Sequence, residues 1–257
     1  MPTTRSIKRY LFRLSHCLVL VIAWLPIFAW AQAGPPLITN DPDTPGDGNW
    51  EINLAATGAH QPGNWDLAAP DLDINYGFGE RIQLSMHMPW NHQRDTNGHW
   101  QSGVGPIELA IRWRFVDEEK AGFSMAIQPH WISSGTDAAV RRGLAPANEE
   151  FVLPIQAAKQ IGEAKMGVEI SRHFIRHENN EWQAGVFWSH DCLAKIQCLA
   201  EINTLWPADA RAETIVNFGA RKNVNEHLIL LGSFGRQITG SSERQQFLFY
   251  FGVQILR

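Results

Sequence analysis

Residues 246–256 set Phe247, Phe249, Phe251, Val253 and Ile255 on one face and Gln246, Tyr250, Gly252 and Gln254 on the other. A period of two with large apolar residues on a single face predicts a strand that meets an apolar medium on one side. The same alternation recurs along the chain. Over 81–90, Ile82, Leu84, Met86, Met88 and Trp90 oppose Gln83, Ser85 and His87. Over 106–116, Ile107, Leu109, Ile111, Trp113 and Phe115 oppose Glu108, Arg112 and Arg114, and over 182–190 Trp182, Ala184, Val186 and Trp188 oppose Gln183, Gly185 and Ser189. Twelve such segments can be laid out from residue 50 onward. The pattern is weaker over 151–161, where Pro154 suits an edge or bulge better than a central ladder, and over 198–206 and 214–221.

The connections sort by parity. Short turns at 77–80, 117–121, 162–164, 192–197 and 223–226 alternate with longer stretches at 60–68, 91–103, 133–150, 207–213 and 237–244; only 177–181 departs from the rule. Short turns at one end and long loops at the other are what a transmembrane barrel shows. Backbone polar groups inside a bilayer must all be paired, so a sheet there closes on itself. The expected fold is therefore all-β: a transmembrane antiparallel up-and-down β-barrel of about twelve strands. This layout puts Trp90, Trp131, Trp182 and Trp206 near the long-loop rim and Trp50 and Trp113 near the short-turn rim, the positions of an aromatic belt.

The first residues change the compartment. Arg5, Lys8, Arg9 and Arg13 precede an apolar run interrupted by Pro26, and small residues at 29–33 offer A-x-A cleavage sites. That order predicts a cleaved secretory signal peptide over 1–33, with Cys17 discarded with it. A Pro-rich periplasmic N-terminal segment over 34–49 and an outer-membrane barrel over 50–257 follow. Cleavage removes four basic residues and no acidic one, leaving 18 basic against 26 acidic residues and a net charge of −8. An acidic exported chain is a poor partner for nucleic acid. Cys192 and Cys198 remain, and an oxidising periplasm favours a disulfide between them over two free thiols.

The stretch from Gly34 reads GPPLITNDPDTPGDGNWEINLA. Through Gly34, Pro35, Pro36, Thr39, Asp41, Pro42, Trp50 and Glu51 it resembles the start of the outer-membrane proteins grouped under the meta-pathway of phenol degradation. The stretches 72–77, 105–109 and 217–220 are similar too. The resemblance implies a transporter-like β-barrel and supplies no catalytic residues. The chain departs from the usual aromatic end of such barrels: it finishes on Arg257, with Phe251 the nearest aromatic candidate.

Lys165 falls on an inward face, and the other inward positions carry charges of both signs: Glu51, Asp71, Asp73, Glu108, Arg112, Arg114 and Glu169, with His87 and His130. They read as lumen-lining groups, either pairing structurally or bordering a polar path. Catalysis would need a Ser beside a His. Ser85 with His87 and Ser189 with His190 offer the residue types only, and no phosphate loop or nucleophile elbow is present. No metal ligand spacing and no cofactor motif stands out.

The expected function is thus passive transport of a small apolar or aromatic solute through a narrow lumen in the outer membrane. A structural barrel with a blocked lumen is the alternative, and a lipid-modifying enzyme a weaker one. Expected partners are lipopolysaccharide, with Arg94, Arg141 and Arg142 as phosphate contacts, and the barrel-assembly and periplasmic chaperone machinery. Arginine on the apolar face, at Leu84 or Ile111, is expected to be damaging, and far milder at the inward positions Ser85 or Ala110.

Overall fold

The computed structural model describes residues 34–61, 64–94, 98–240 and 246–257. The expected signal peptide, with Cys17, lies outside the described residues.

Twelve antiparallel strands close on themselves. They are β1 (Trp50–Gln61), β2 (Asn64–Phe78), β3 (Ile82–Arg94), β4 in two parts (Trp100–Val104 and Glu108–Val116), β5 in two parts (Ser124–Ile127 and His130–Ile132) and β6 (Glu150–Ile161). Then follow β7 (Ala164–Ile175), β8 (Glu181–Leu193), β9 (Ile196–Trp206), β10 (Glu213–Asn223), β11 (Leu228–Thr239) and β12 (Phe247–Leu256). Each strand pairs with the next, and β12 returns to β1, with Glu51 opposite Leu256 and His60 opposite Phe247. Arg257 completes the seam: its N–H donates to the Trp50 carbonyl and its own carbonyl accepts from Trp50 N–H. No sheet edge is left open between the first strand and the last.

The breaks in β4 and β5 have local causes. Gly105–Pro106 interrupts β4, so that its first part pairs with the outer end of β3 and its second part with the inner end. Pro129 lacks the N–H the β5 ladder would need, and that strand resumes at His130 in the same register. Pro154, in contrast, sits inside continuous β6, opposite Ser171.

Burial follows the pleat. In β4, Ala110 is 5% exposed, Ile111 53% and Arg112 6%. Leu84, Val168, Val186, Ile202, Phe218, Phe234 and Phe251 are likewise exposed on the outer face, and all the tryptophans assigned to the rims are exposed. Such a wall is stable only against hydrocarbon, since alternation that is apolar outside and polar inside inverts the arrangement of a soluble sheet. The interior is a polar core: Asn53, Gln83, Gln128, Gln156, Glu201, Asn203, Asn217 and Gln254 are all buried. Ala110 is buried and lines no cavity, so it is no roomy inward position. The expected mildness of Ala110→Arg is corrected, since a guanidinium there must displace packed neighbours rather than water.

Among the described residues, two short helices decorate the connections. α1 (Glu118–Ala121) follows β4 at the short-turn end, and α2 (Asp137–Arg141) lies in the long connection after β5, with the Thr136 hydroxyl capping the Ala139 N–H at 3.2 Å. At the β8–β9 hairpin, Cys192 and Cys198 form a disulfide with a Cα–Cα distance of 5.7 Å.

Candidate functional site

Residues 34–45 lie inside the barrel, and Asp47, Gly48 and Asn49 are exposed at its short-turn rim. The sequence reading placed this stretch on the periplasmic side; here it crosses the lumen as a strap before joining β1. Arg221 on β10 donates to the Pro35 carbonyl at 2.6 Å, and the Ser233 hydroxyl on β11 to the Pro36 carbonyl at 2.7 Å. The Ile38 and Thr39 N–H groups both donate to the Glu201 carboxylate on β9 at 2.8 Å. Lys165 on β7 donates to Asp41 at 2.8 Å and also bonds Asp43, while Arg112 on β4 donates to the Asp43 carbonyl at 2.6 Å.

The wall is shaped to receive the strap. A Cβ on Gly185 would stand 2.0 Å from the Thr39 hydroxyl oxygen, and one on Gly77 1.8 Å from the Gly46 carbonyl oxygen. Only glycine allows these approaches. Leu37 packs with Ala158, Phe187 and Leu199, an apolar patch on the inner wall. The wall thus meets backbone groups of Pro35, Pro36, Ile38, Thr39 and Asp43 with side chains, and the Leu37 N–H turns back to the Gly34 carbonyl, as buried polar groups require.

Held against β7–β11, the strap leaves free space along β1–β5. There a chamber of about 300 Å³ is lined by Asp41 and Asp43 of the strap, by Glu51, Asp71, Asp73 and Glu108, by His87 and His130, and by Arg112. Six carboxylates and one arginine line it, and Lys165 takes up two of the carboxylates, Asp41 and Asp43. Imidazole–carboxylate pairs cross the strands, with His87 to Asp71 and His130 to Glu108 both at 2.5 Å. Asn53 donates to Glu51 and Asp73, and Gln156 to Glu169. Of the nine lumen-lining candidates, Glu51, Asp71, Asp73, His87, Glu108, Arg112 and His130 meet in this chamber. Glu169 is buried beside it, on Gln156. Arg114 faces the rim, where it donates to the Glu80 carbonyl.

Outward of the chamber lies a larger cavity of about 850 Å³. Its floor is Pro36, Leu37 and Ile38, and its walls include Leu67, Pro89, Leu205, Ile215, Leu248 and Phe249. Gly143, Leu144, Ala145 and Pro146 reach over it from the connection after α2. Leu144 is fully buried there, and Asn91 holds its carbonyl at 2.8 Å. The two cavities share Leu37, Ile38, Asp71, His87 and Tyr250, so they adjoin. The combination can accept an apolar body above and a polar or cationic end below.

The serine–histidine pairs named from sequence do not assemble. The Ser85 hydroxyl bonds Asn75 Oδ1 at 2.6 Å while His87 turns to Asp71, and His190 faces the Glu163 carbonyl. A different set lines up: Ser171 Oγ is 3.2 Å from His173 Nε2, and His173 Nδ1 is 2.5 Å from Glu150. The same Nε2 also meets Gln183 Oε1 at 3.1 Å. Gln183 uses its own amide N–H on Asn203, so its oxygen accepts and the imidazole Nε2 carries the proton. A protonated Nε2 cannot take one from serine, and Ser171 is 2% exposed and lines neither cavity. This is a structural hydrogen-bond chain.

The sequence reading missed the strap's role and the glycines that admit it. Proline-rich, acidic 34–49 carried no strand period, and the lysine that holds it, Lys165, looked like one more inward charge. At the outer rim, Arg142 directs its guanidinium to the Ala138 and Ser102 carbonyls, Arg141 lies on α2, and Arg94 stacks on Trp100.

The sequence matches no protein-family model, and no curated protein matches it. Solved structures do share its fold. An outer-membrane channel from Pseudomonas putida F1 aligns with TM-score 0.69 at 12% identity, over 88% of this chain and 100% of that one. The KdgM porin aligns with TM-score 0.58 at 12% identity over 80% and 98%, and the NanC porin with 0.55 at 7% over 79% and 98%. Identities this low establish the barrel and leave the cargo to be argued from this chain's own lining.

Proposed function

We propose that this chain is an outer-membrane channel that passively admits a small solute with an apolar or aromatic body. The observation that carries this reading is the pair of adjoining cavities, an apolar vestibule above an acidic chamber, inside a closed lipid-facing barrel. An apolar solute desolvates in the vestibule at about 25 cal/mol per Å² buried, and the polar chamber below keeps binding weak enough for release. The channel and porins that share the fold support a transport role, and the resemblance to the phenol meta-pathway outer-membrane proteins supports an aromatic cargo. On this reading, export through the secretory route and insertion by the barrel-assembly machinery deliver the chain to its membrane.

A structural barrel with a blocked lumen is the second reading, and the strap favours it. Purified protein in planar bilayers, with uptake measured in cells lacking the chain, separates the two. A small conductance together with slower uptake of a monocyclic aromatic upon deletion is expected; no conductance and no uptake defect would sink the transport proposal.

A further inference from the structure

Among the described residues, three guanidinium groups stack on aromatic rings, and all three stacks lie at the long-loop end of the barrel. Arg94 is 5.0 Å from the Trp100 ring, Arg172 is 4.9 Å from Trp182, and Arg236 is 5.4 Å from Phe247. In each case the two residues are direct cross-strand partners: Arg94 opposite Trp100, Arg172 opposite Trp182, Arg236 opposite Phe247. The arginine lies at or within three residues of the end of an outward-running strand, and the ring at the start of the strand that returns. The pairs fall on β3–β4, β7–β8 and β11–β12, four strands apart each time. With strands about 4.8 Å apart and tilted about 40°, that spacing is about 25 Å along the circumference.

These arginines face outward. Arg172 shares its face with exposed Met166, Val168 and Ile170, and Arg236 shares its face with exposed Leu230 and Phe234. Further out on the same faces come exposed Phe174 and Ile238. The apolar wall therefore continues beyond both guanidiniums, which places them at the headgroup boundary rather than in the watery loops. Among the described residues, neither Arg172 nor Arg236 forms a salt bridge. An unpaired charge at the edge of hydrocarbon is costly unless an anion from the membrane meets it. A ring beneath the guanidinium leaves its N–H fork free and fixes its plane, the geometry that grips phosphate in a bidentate way. No such stack occurs at the short-turn end among the described residues.

We propose that the Arg172–Trp182 and Arg236–Phe247 pairs, with Arg94–Trp100 as a third, bind phosphate groups of the phosphorylated glycolipid of the outer leaflet, one lipid at each pair. The inference rests on the outer-membrane orientation proposed above, because it needs the long-loop rim to meet that leaflet. It moves the lipid contact from Arg141 and Arg142 to the barrel wall.

The test is retention of diphosphorylated lipid A by the purified full chain in detergent, read by native mass spectrometry. Dephosphorylated lipid A and phosphatidylglycerol serve as the other arms. Wild-type protein is expected to retain diphosphorylated lipid A at least tenfold better than either alternative. Arg172→Gln with Arg236→Gln should lose that preference by tenfold or more, and lysine at both positions should restore it only in part. Trp182→Leu, which keeps the charge, should weaken binding at that pair, and it serves if the double variant does not refold. Equal retention by the Gln variant, or of phosphatidylglycerol by wild type, overturns the proposal. Conductance of the same preparation separates the two readings. A barrel that conducts and ignores lipid A sinks this inference alone, and one that holds lipid A without conducting sinks only transport.

Discussion

Lys165→Met should loosen the strap and raise the conductance of the pore. Lys165 is 4% exposed and Asp41 1%, joined at 2.8 Å, with Asp43 on the same ammonium. Methionine keeps the packing volume and removes the charge, leaving carboxylates in a site with little water. Removing one partner of a buried pair costs about 3–5 kcal/mol. A stranded carboxylate can instead take up a proton, which for an ordinary aspartic acid costs about 4 kcal/mol at pH 7 and about 1.5 kcal/mol at pH 5. Arg114, with Nη1 3.9 Å from Asp43, can relieve part of the cost. At pH 7 the equilibrium between seated and unseated strap should therefore shift by about 10²–10³.

The anchors at Glu201, Arg221 and Ser233, and Arg112 on the Asp43 carbonyl, are untouched by this change, so release should be partial and centred on the side chains of Asp41 and Asp43. In planar bilayers, Lys165→Met should show longer or more frequent high-conductance events than wild type at pH 7, and the excess should shrink toward pH 5. Adding Asp41→Asn and Asp43→Asn removes the stranded charges and should return the record toward wild type, because replacing a whole buried pair is close to neutral. A single variant with wild-type conductance at pH 7, or one whose openings grow as the pH falls, would refute the reasoning.

Leu84→Arg or Ile111→Arg, near the bilayer midplane, should cost about 2–4 kcal/mol in a refolding titration; an unchanged midpoint would show that this face does not meet lipid. With six carboxylates in the chamber, the reversal potential in a potassium chloride gradient should report cation preference, and Asp73→Asn with Glu108→Gln should reduce it; anion preference in wild type would contradict the chamber's assignment to the ion path. Opening the six-residue separation of Cys192 and Cys198 should cost about 2 kcal/mol by loop entropy, read as a small shift in urea midpoint for Cys192→Ser with Cys198→Ser. Desolvation would raise the Asp117 carboxyl, but the Arg81 guanidinium, with Lys120 and Arg114, outweighs it and holds the group below the ordinary carboxylate range. Its contribution to stability is thus present above the ordinary carboxylate pKa and lost as the pH falls through the lowered folded value. Asp117→Asn should flatten that acid limb, and an unchanged limb would remove the network from the account.

The wall of this barrel was legible in sequence because its period is the pleat itself. Ile111 between Ala110 and Arg112 must face away from both, and hydrocarbon on one side decides which way. Loop parity then set the two ends, and with them the rims on which Trp90, Trp131, Trp182 and Trp206 lie. The lumen was less legible, because an inward charge in a strand looks the same whether it faces water, another strand or a foreign segment. Lys165 and Glu201 both sat on polar faces, and nothing periodic distinguishes the residues that grip the strap from Glu51 or Asp73, which line the space it leaves. Gly185 and Gly77 held a usable signal, since a glycine on the inner face of a strand marks a close backbone approach.

The strap also gives a physical reason for a narrow barrel to keep so many buried polar groups. Twelve strands enclose more space than inward side chains alone fill, since about eight already give an interior just wide enough for side chains. A chain segment with irregular backbone is allowed at membrane depth only where protein or water satisfies it. Here the wall meets the strap with Glu201 for two N–H groups, Arg221 and Ser233 for two carbonyls, and Lys165 for two carboxylates. The grip is concentrated on β7–β11, so the strap cannot centre itself. The off-centre placement leaves the acidic chamber beside β1–β5 and sets an apolar floor of Pro36, Leu37 and Ile38 beneath the larger vestibule. The segment that narrows the lumen is in this way also the one that gives the path its two chemistries, so removing 34–49 should widen the pore and abolish discrimination between apolar and polar solutes together.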